Sequence, residues 1–452
     1  MKKIIQLIPI LLIMYGCNGF LDIKPDKKMS IPQTLEDCEL LLNDYTALNS
    51  SYPVLGAIAA EEFYLTSADW NSIGDQDDRN AYIWSDEPSL KASAWQSSYK
   101  VVYIANQVLQ VLDALDDTQK QSGRFKTVMG NAYFFRAFAF QQLMEIYAIP
   151  YDKATAETEL GIPIRLSPDL DVISPRATLK QSYDRVLEDF KKAASLLSGT
   201  SIAKSLPTAA AANAALSRLY LTMGDYQNAY TYADLAWKAS PQLLDYNTLN
   251  VQEDYPIARF NKEVLFSALT QYSDAIGNYY ARISPELLDT YESNDLRKQV
   301  FFRPSDADPS AFAFKGSYDQ GPGGVFVGLT SSEVILNKAE SACRLGQMST
   351  ALADLNTLRK SRWKSASYQS ISETDPDRLL DFILQERRRE LVFRGRRWSD
   401  VKRLGSEPLL ALQLKRTVDQ KVYILEANSL KYAFLIPQLV INQNNNIQQN
   451  KR

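Results

Sequence analysis

The sequence predicts a mainly all-α chain of stacked helix–turn–helix repeats, with long irregular loops and a few short strands. Three observations predict it. Apolar residues recur at spacings of three and four through much of the chain. Two distant segments, 221–239 and 343–361, repeat one another. Proline-rich breaks, as at 148–152 and 161–179, cut the periodic stretches into helix-length pieces.

The chain opens with MKKIIQLIPILLIMYGC. Lys2 and Lys3 precede an apolar run, Ile4 to Tyr15, that is too short to span a bilayer, so residues 1–16 read as a signal peptide. Met14-Tyr15-Gly16-Cys17 resembles the bacterial lipobox, in which the cysteine is lipidated. Cys17 is therefore the expected lipidation site and residues 17–30 a lipidated tether to a membrane. Several acyl chains hold a protein on a membrane far more firmly than one. Residues 31–452 read as one helical-repeat domain with a loop-rich insertion at about 241–330.

From Ile31, the stretch IPQTLEDCELLLNDY puts Leu35, Cys38, Leu41, Leu42 and Tyr45 on one stripe. Glu36 and Asp37 fall in its first turn, where negative charge is favoured. Residues 66–90 are polar and acidic with interspersed Trp and Tyr, and read as a long loop of the kind that often carries function. Helices are expected at 91–115, 120–147, 178–197, 208–223, 226–239, 331–346, 349–362 and 376–403. Residues 241–330 are mixed, with a strand-like EVLFSAL at 263–269 and a glycine cluster at 321–328. In the internal repeat Gly224 matches Gly346, and Ala229 matches Ala351. A helix ending at a small residue, a tight turn and a second helix packing back through alanines is the tetratricopeptide pattern. Such units stack because one pair cannot bury its own apolar face. Weaker units are expected at 95–147 and 376–403.

Composition narrows the function. The chain has no histidine, which excludes Ser-His-Asp and Cys-His catalysis and His-ligated zinc. A formal net charge of −3, with no basic stripe, argues against nucleic acid as a partner. No enzymatic activity and no cofactor or metal are expected. The acidic run GDQDDRN at 74–80 has the alternating carboxylates of a calcium loop, but Arg79 breaks the series. Glu61-Glu62 and Asp77-Asp78 are adjacent pairs, whose side chains point in different directions. Cys38 and Cys343 read as small buried apolar residues. Aromatics make up 11% of the chain, with 25 Tyr and 6 Trp, flat faces with a polar edge that suit sugar or peptide recognition.

Four segments carry a specific likeness. RAFAFQQLMEIYAIPYDKATAETELGIPIRL (136–166), SSEVILNKAESACRLG (331–346), ILQERRRELVFRGRRWSDVKRLG (383–405) and FLIPQLVINQNNNIQQN (434–450) resemble, in the same order, the hallmarks of the SusD/RagB family of Bacteroidetes outer-membrane lipoproteins. CNGFLDIKPD (17–26) fits the start of such a chain. The resemblance implies a SusD-like α-α superhelix on the outer face of the outer membrane. It implies a partner SusC-like TonB-dependent transporter, over which the protein closes as a lid on captured nutrient. The ligand implied is most often glycan or oligosaccharide, and peptide in some members. A cell-envelope tetratricopeptide scaffold that binds protein partners is the alternative outside nutrient uptake.

In ERRRELVFRGRRWSD, the spacing of Glu386, Glu390 and Arg394 predicts ion pairing along a helix. Arg397, Trp398 and Asp400 extend this into a clamp between helices, with an anionic ligand as the other reading. Arg136 and Glu145 frame a helix whose Phe134, Phe135, Phe138 and Phe140 read as core, as do Trp95, Tyr99 and Asn106. Ligand contacts are expected where aromatic faces meet planar polar groups. The loop offers Trp70, Asn71, Asp75, Arg79 and Asn80. The insertion offers Tyr272, Tyr279, Tyr280, Phe312, Phe314 and Tyr318. Of these, Trp70, Asn71, Asp75, Arg79, Tyr279, Tyr280 and Tyr318 are the expected ligand-binding set.

Overall fold

Side chains that accept backbone N–H groups start many of the helices. Thr34, Thr66 and Thr178 each form a capping box with the residue three positions on, and Ser122, Thr208 and Thr330 cap through their hydroxyls. The structure, a computed structural model, describes residues 32–452. The expected signal peptide, Cys17 and the 17–30 tether lie outside the described residues.

The first stretch holds α1 (Leu35–Leu42), α2 (Tyr45–Asn49), α3 (Leu55–Ala59), β1 (Phe63–Tyr64), α4 (Ser67–Ser72) and α5 (Gln76–Tyr82). Next come α6 (Ser93–Ala114), α7 (Asp117–Lys120), α8 (Gly123–Tyr147), β2 (Leu160–Pro163), β3 (Arg176–Thr178), α9 (Leu179–Leu196), α10 (Ala209–Thr222) and α11 (Tyr226–Ala239). The insertion carries β4 (Val264–Phe266), β5 (Arg282–Ile283), α12 (Pro285–Leu288), α13 (Arg297–Phe301), β6 (Phe302–Pro304), β7 (Phe312–Phe314) and β8 (Leu329–Thr330). The chain finishes with α14 (Ser331–Arg344), α15 (Met348–Lys360), α16 (Pro376–Glu390), α17 (Arg397–Leu404), β9 (Leu414–Val418), β10 (Lys421–Leu425) and α18 (Gln438–Gln443). The strands form five two-stranded antiparallel sheets among the described residues.

Helix pairs make the frame. The α6/α8, α8/α9, α10/α11, α11/α14 and α14/α15 faces pack in succession. Gly224 and Gly346 turn the α10/α11 and α14/α15 hairpins at φ +71° and +76°, a conformation costly for any residue with a Cβ. Ala229 and Ala351 are fully buried where the second helix packs back. Gly346→Ala, with nothing within 4 Å of the added methyl, isolates that backbone cost. It is expected to lower the unfolding free energy by about 1 kcal/mol. Urea denaturation measures it, and an unchanged midpoint would contradict the assignment.

The α8 phenylalanines form the core as expected: Phe134 and Phe138 meet Phe266 of β4 with ring centroids 4.7 and 5.1 Å apart. Arg136 is buried beside them because its charge is answered. Its Nε and Nη2 donate to Asp189 at 2.7 and 2.8 Å, and Nη1 donates to Asn106 at 2.8 Å. Trp95, Tyr99 and Asn106 lie in the same interior, and Cys38 and Cys343 are buried free thiols.

Three expectations need correction. Residues 66–90 contain two short helices, α4 and α5, because Thr66 and Asp75 cap them against the pull of a polar composition. Residues 376–403 are α16 and α17, not one helix: the chain breaks around Gly395, at φ +64°, where an added Cβ would lie 2.7 Å from Val327. Glu390 and Arg394 do not pair. Glu390 accepts instead from Arg362 and Arg297, and Arg394 stacks on Tyr318 with its Cζ 3.6 Å from the ring centroid. Tertiary partners with better geometry have displaced the helical neighbour.

Candidate functional site

The local pairing of the chain brings the two expected ligand-contact regions together. Strand β1, just before α4, pairs antiparallel with β5 of the insertion, Phe63 opposite Ile283. Asp69 of α4 pairs with Arg282, which also donates to the Tyr280 carbonyl at 3.1 Å. Asp78 of α5 accepts from the Ser273 hydroxyl at 2.6 Å. Ser273 in turn caps the short 3-10 turn Asp274–Ile276, which packs on α5. Burial pushes the Asp78 carboxyl up to about 6, with the Ser273 bond pulling the other way and Asp75 adding to the rise.

A cleft of about 420 Å³ opens at this junction. Asp75, Asp77 and Asp78 line it from the α5 side, Lys91 from the segment before α6, and Gln271 and Tyr272 from the insertion. Its polar groups are fixed by local bonds. Asp75 caps α5 and takes Lys91 Nζ at 2.6 Å; Asp77 accepts the backbone N–H groups of Leu90 and Lys91 at 2.8 and 2.9 Å. Tyr272, which lines the cleft, and Tyr279, further along the same short segment, are 61% and 63% exposed and stand out as bare rings. Tyr279 is braced edge-on by Tyr280, centroids 5.0 Å apart and planes at 87°. Bare aromatic faces beside a polar cleft can take the apolar face of a sugar ring while planar polar groups meet its hydroxyls.

The other expected contacts fare unevenly. Trp70 is half-buried; its Nε1 donates to the Arg79 carbonyl at 3.1 Å and its ring packs on the core, with the Arg79 guanidinium 5.8 Å away. Asn71 donates to both oxygens of Asp419 at 3.1 and 3.2 Å, which fastens α4 to the turn between β9 and β10. Arg79 donates to the Ile73 carbonyl. Phe312 and Phe314 are packed against the core, Phe314 stacking on Phe393 at 4.8 Å. Tyr318 is 1% exposed and does not face a ligand. Its hydroxyl donates to Glu263 at 2.6 Å and lies 3.2 Å from the Tyr246 hydroxyl, a buried polar network that holds it inside. Sequence reasoning missed Lys91 and Gln271 as cleft residues. Lys91 follows directly on the acidic stretch, which is the one signal that pointed to it.

The carboxylate pairs are also engaged. Glu61 takes Arg397, and Glu62 accepts the Phe393 N–H at 3.0 Å. Among the described residues, no group of three or more His, Cys, Asp or Glu could hold a metal ion, and no helix is long and apolar enough to cross a membrane.

Stacked helical hairpins with irregular segments packed along one side define a helical-repeat protein of tetratricopeptide type. The chain belongs to the SusD/RagB family: a family model described as "Starch-binding associating with outer membrane" matches residues 19–221, and the SusD family model matches residues 331–452. SusD-like protein P2 of Formosa agariphila is 24% identical over 431 residues, covering 79% of this chain and 82% of the relative. A SusD superfamily protein from Bacteroides thetaiotaomicron is 25% identical with a TM-score of 0.75, covering 93% of this chain and 100% of the other. A putative sugar binding protein from Bacteroides vulgatus, 22% identical, shares the fold at a TM-score of 0.74 over 93% of this chain and 99% of its own.

Proposed function

We propose that this chain is a surface lipoprotein that captures glycan at the α5–insertion cleft and delivers it to a SusC-like TonB-dependent transporter. The observation that carries the reading is the exposed ring of Tyr272 lining a polar cleft, with a second exposed ring, Tyr279, on the same short segment. The description of the matching family as starch-binding and outer-membrane-associated supports it, as does the likeness to a putative sugar binding protein. The lipobox-like Met14-Tyr15-Gly16-Cys17 supports anchoring through Cys17, with the binding face turned to the cell exterior. Residues 31–452 act as one unit in this reading, with Asp75 lining the loop side of the cleft, Asn71, Arg79 and Trp70 bracing the α4–α5 segment behind it, and Tyr279 and Tyr280 following Tyr272 on the insertion. Peptide is the competing ligand, since exposed tyrosines also suit it.

Truncating an exposed ring removes stacking with little effect on the fold. Tyr279→Ala is expected to weaken glycan binding about fivefold, roughly 1 kcal/mol of aromatic contact. Affinity electrophoresis against a retained polysaccharide measures it, and undiminished retention would contradict the site. Tagged full-length protein should recover an outer-membrane barrel transporter from detergent-solubilised membranes. Repeated recovery of none would sink the partnership.

A further inference from the structure

A second cavity, of about 570 Å³, is lined by β1 and β9 and by residues of the helices α16 and α17. Four cations line it, Arg388, Arg397, Lys415 and Arg416, against two carboxylates, Glu61 and Glu286. Neighbouring Glu62 adds no charge at neutral pH, because burial above all, and Glu61 beside it, push its carboxyl up to about 8.

The pairing inside the cavity is incomplete. Arg397 Nε donates to Glu61 Oε1 at 2.5 Å and its Nη2 pairs with the same oxygen. Arg388 Nη2 reaches that oxygen only at 3.7 Å, beyond hydrogen-bond range. Arg388 Nε is buried and has no partner. Two guanidinium groups thus share one carboxylate oxygen, and the arginine left short of a partner lines open space. Arg416 has no carboxylate partner either: its Nη2 donates to the carbonyls of Ile58 and Ala60 at 2.9 and 2.5 Å, under the ring of Tyr82. Lys415 is exposed on β9. Buried guanidinium groups ordinarily find a planar bidentate anion, and carboxylate is the match in size and shape.

We propose that this cavity is a second binding site, separate from the tyrosine-edged cleft, that takes one organic carboxylate between Arg388 and Lys415. The carboxylate could come from a sugar acid or from the free end of a short peptide. The chemistry is shared, and the test separates the sources.

Ligand-detected NMR on the full chain, with glucuronate, glucose and N-acetylglycine as probes, tests the site. Binding of a carboxylate probe is expected, with no binding of glucose in competition with it. Glucuronate alone assigns the site to sugar acids, and N-acetylglycine alone to peptide ends. Arg388→Gln is expected to weaken carboxylate binding at least tenfold. Lys415→Glu, a change on an exposed strand position, should weaken it severalfold and serves even if Arg388→Gln fails to fold. Absence of both carboxylates from the wild-type protein at millimolar concentration overturns the proposal. So does undiminished binding to Lys415→Glu together with a folded Arg388→Gln. Neither outcome bears on Tyr272 and Tyr279, so the cleft and this cavity stand or fall separately.

Discussion

Replacing Glu390 by alanine is expected to lower the stability of the protein by about 3–5 kcal/mol, the usual effect of removing one partner from a buried ion network. Glu390 sits among fully buried charges. Its Oε1 takes Arg362 Nη2 at 2.8 Å, and its Oε2 takes Arg362 Nε at 2.8 Å and Arg297 Nη1 at 3.2 Å. Arg297 also pairs with Asp295 and Glu386 at 2.7 and 2.8 Å, and Arg362 with Glu263 at 2.7 Å. Glu386 further accepts from Arg359 and Arg389. Four guanidinium groups therefore balance four carboxylates. Burial pushes the Glu390 carboxyl up, but Arg362 and Arg297 more than reverse it, so it stays ionised. Alanine would leave Arg362 with Glu263 alone and two cations short of charge in a dry interior. The network also joins the insertion, through Glu263, Asp295 and Arg297, to α15 and α16. Loosening it should free the segment that carries Tyr272 and Tyr279 from its frame. Chemical denaturation measures the loss. A change under about 1 kcal/mol would mean that water reaches the network and screens it.

The second large effect is a pH dependence set by Glu62. This carboxyl is 3% exposed and accepts only the Phe393 N–H. Burial first, then the Glu61 charge, raise it from 4.5 to about 8, while the Phe393 N–H, Arg397 and Arg388 pull it down. At pH below 4.5 folded and unfolded chains are both protonated at this group, and it costs nothing. Between 4.5 and about 8 the unfolded chain ionises and the folded one holds its proton, so stability falls as pH rises, and the loss is complete above about 8. At roughly 1.4 kcal/mol per pKa unit the full loss is about 5 kcal/mol. Glu62→Gln keeps the acceptor for Phe393 and cannot ionise. The variant should be more stable than the parent at pH 9 and close to it at pH 5, by thermal or urea unfolding. Equal stability of the two proteins at pH 9 would show that Glu62 is not held neutral.

Much of the frame was legible in the residues. Gly224 and Gly346 announced the two hairpins, since a turn at positive φ favours glycine, and Thr178, Thr208 and Thr330 stand where helices begin. The phenylalanines of α8 read as core from their number alone. What failed was whatever depends on contacts distant in sequence. Glu390 and Arg394 have helical pairing distance, yet Arg362, from the end of α15, wins Glu390 with two bonds where Arg394 could offer one. Tyr318 read as a candidate ligand contact of the insertion, and only the fold reveals Glu263 and Tyr246 waiting for its hydroxyl. The composition of residues 66–90 hid α4 and α5, although the Thr66–Asp69 capping box was there to be read. The candidate cleft was half visible: Asp75 and the tyrosines were in view. Their meeting depends on the β1–β5 pairing and the Asp78–Ser273 bond, which join residues about two hundred positions apart in sequence.

If the tyrosine-edged cleft binds glycan, its exposed rings carry a large share of the affinity. Calorimetry of residues 32–452 against a panel of soluble polysaccharides and peptides, with the Tyr272→Ala/Tyr279→Ala double variant beside the parent, tests it most directly. At least one polysaccharide is expected to release heat with the parent and to bind the folded double variant at least tenfold more weakly. Peptide binding without glycan binding, or glycan binding that the double variant retains in full, would contradict it.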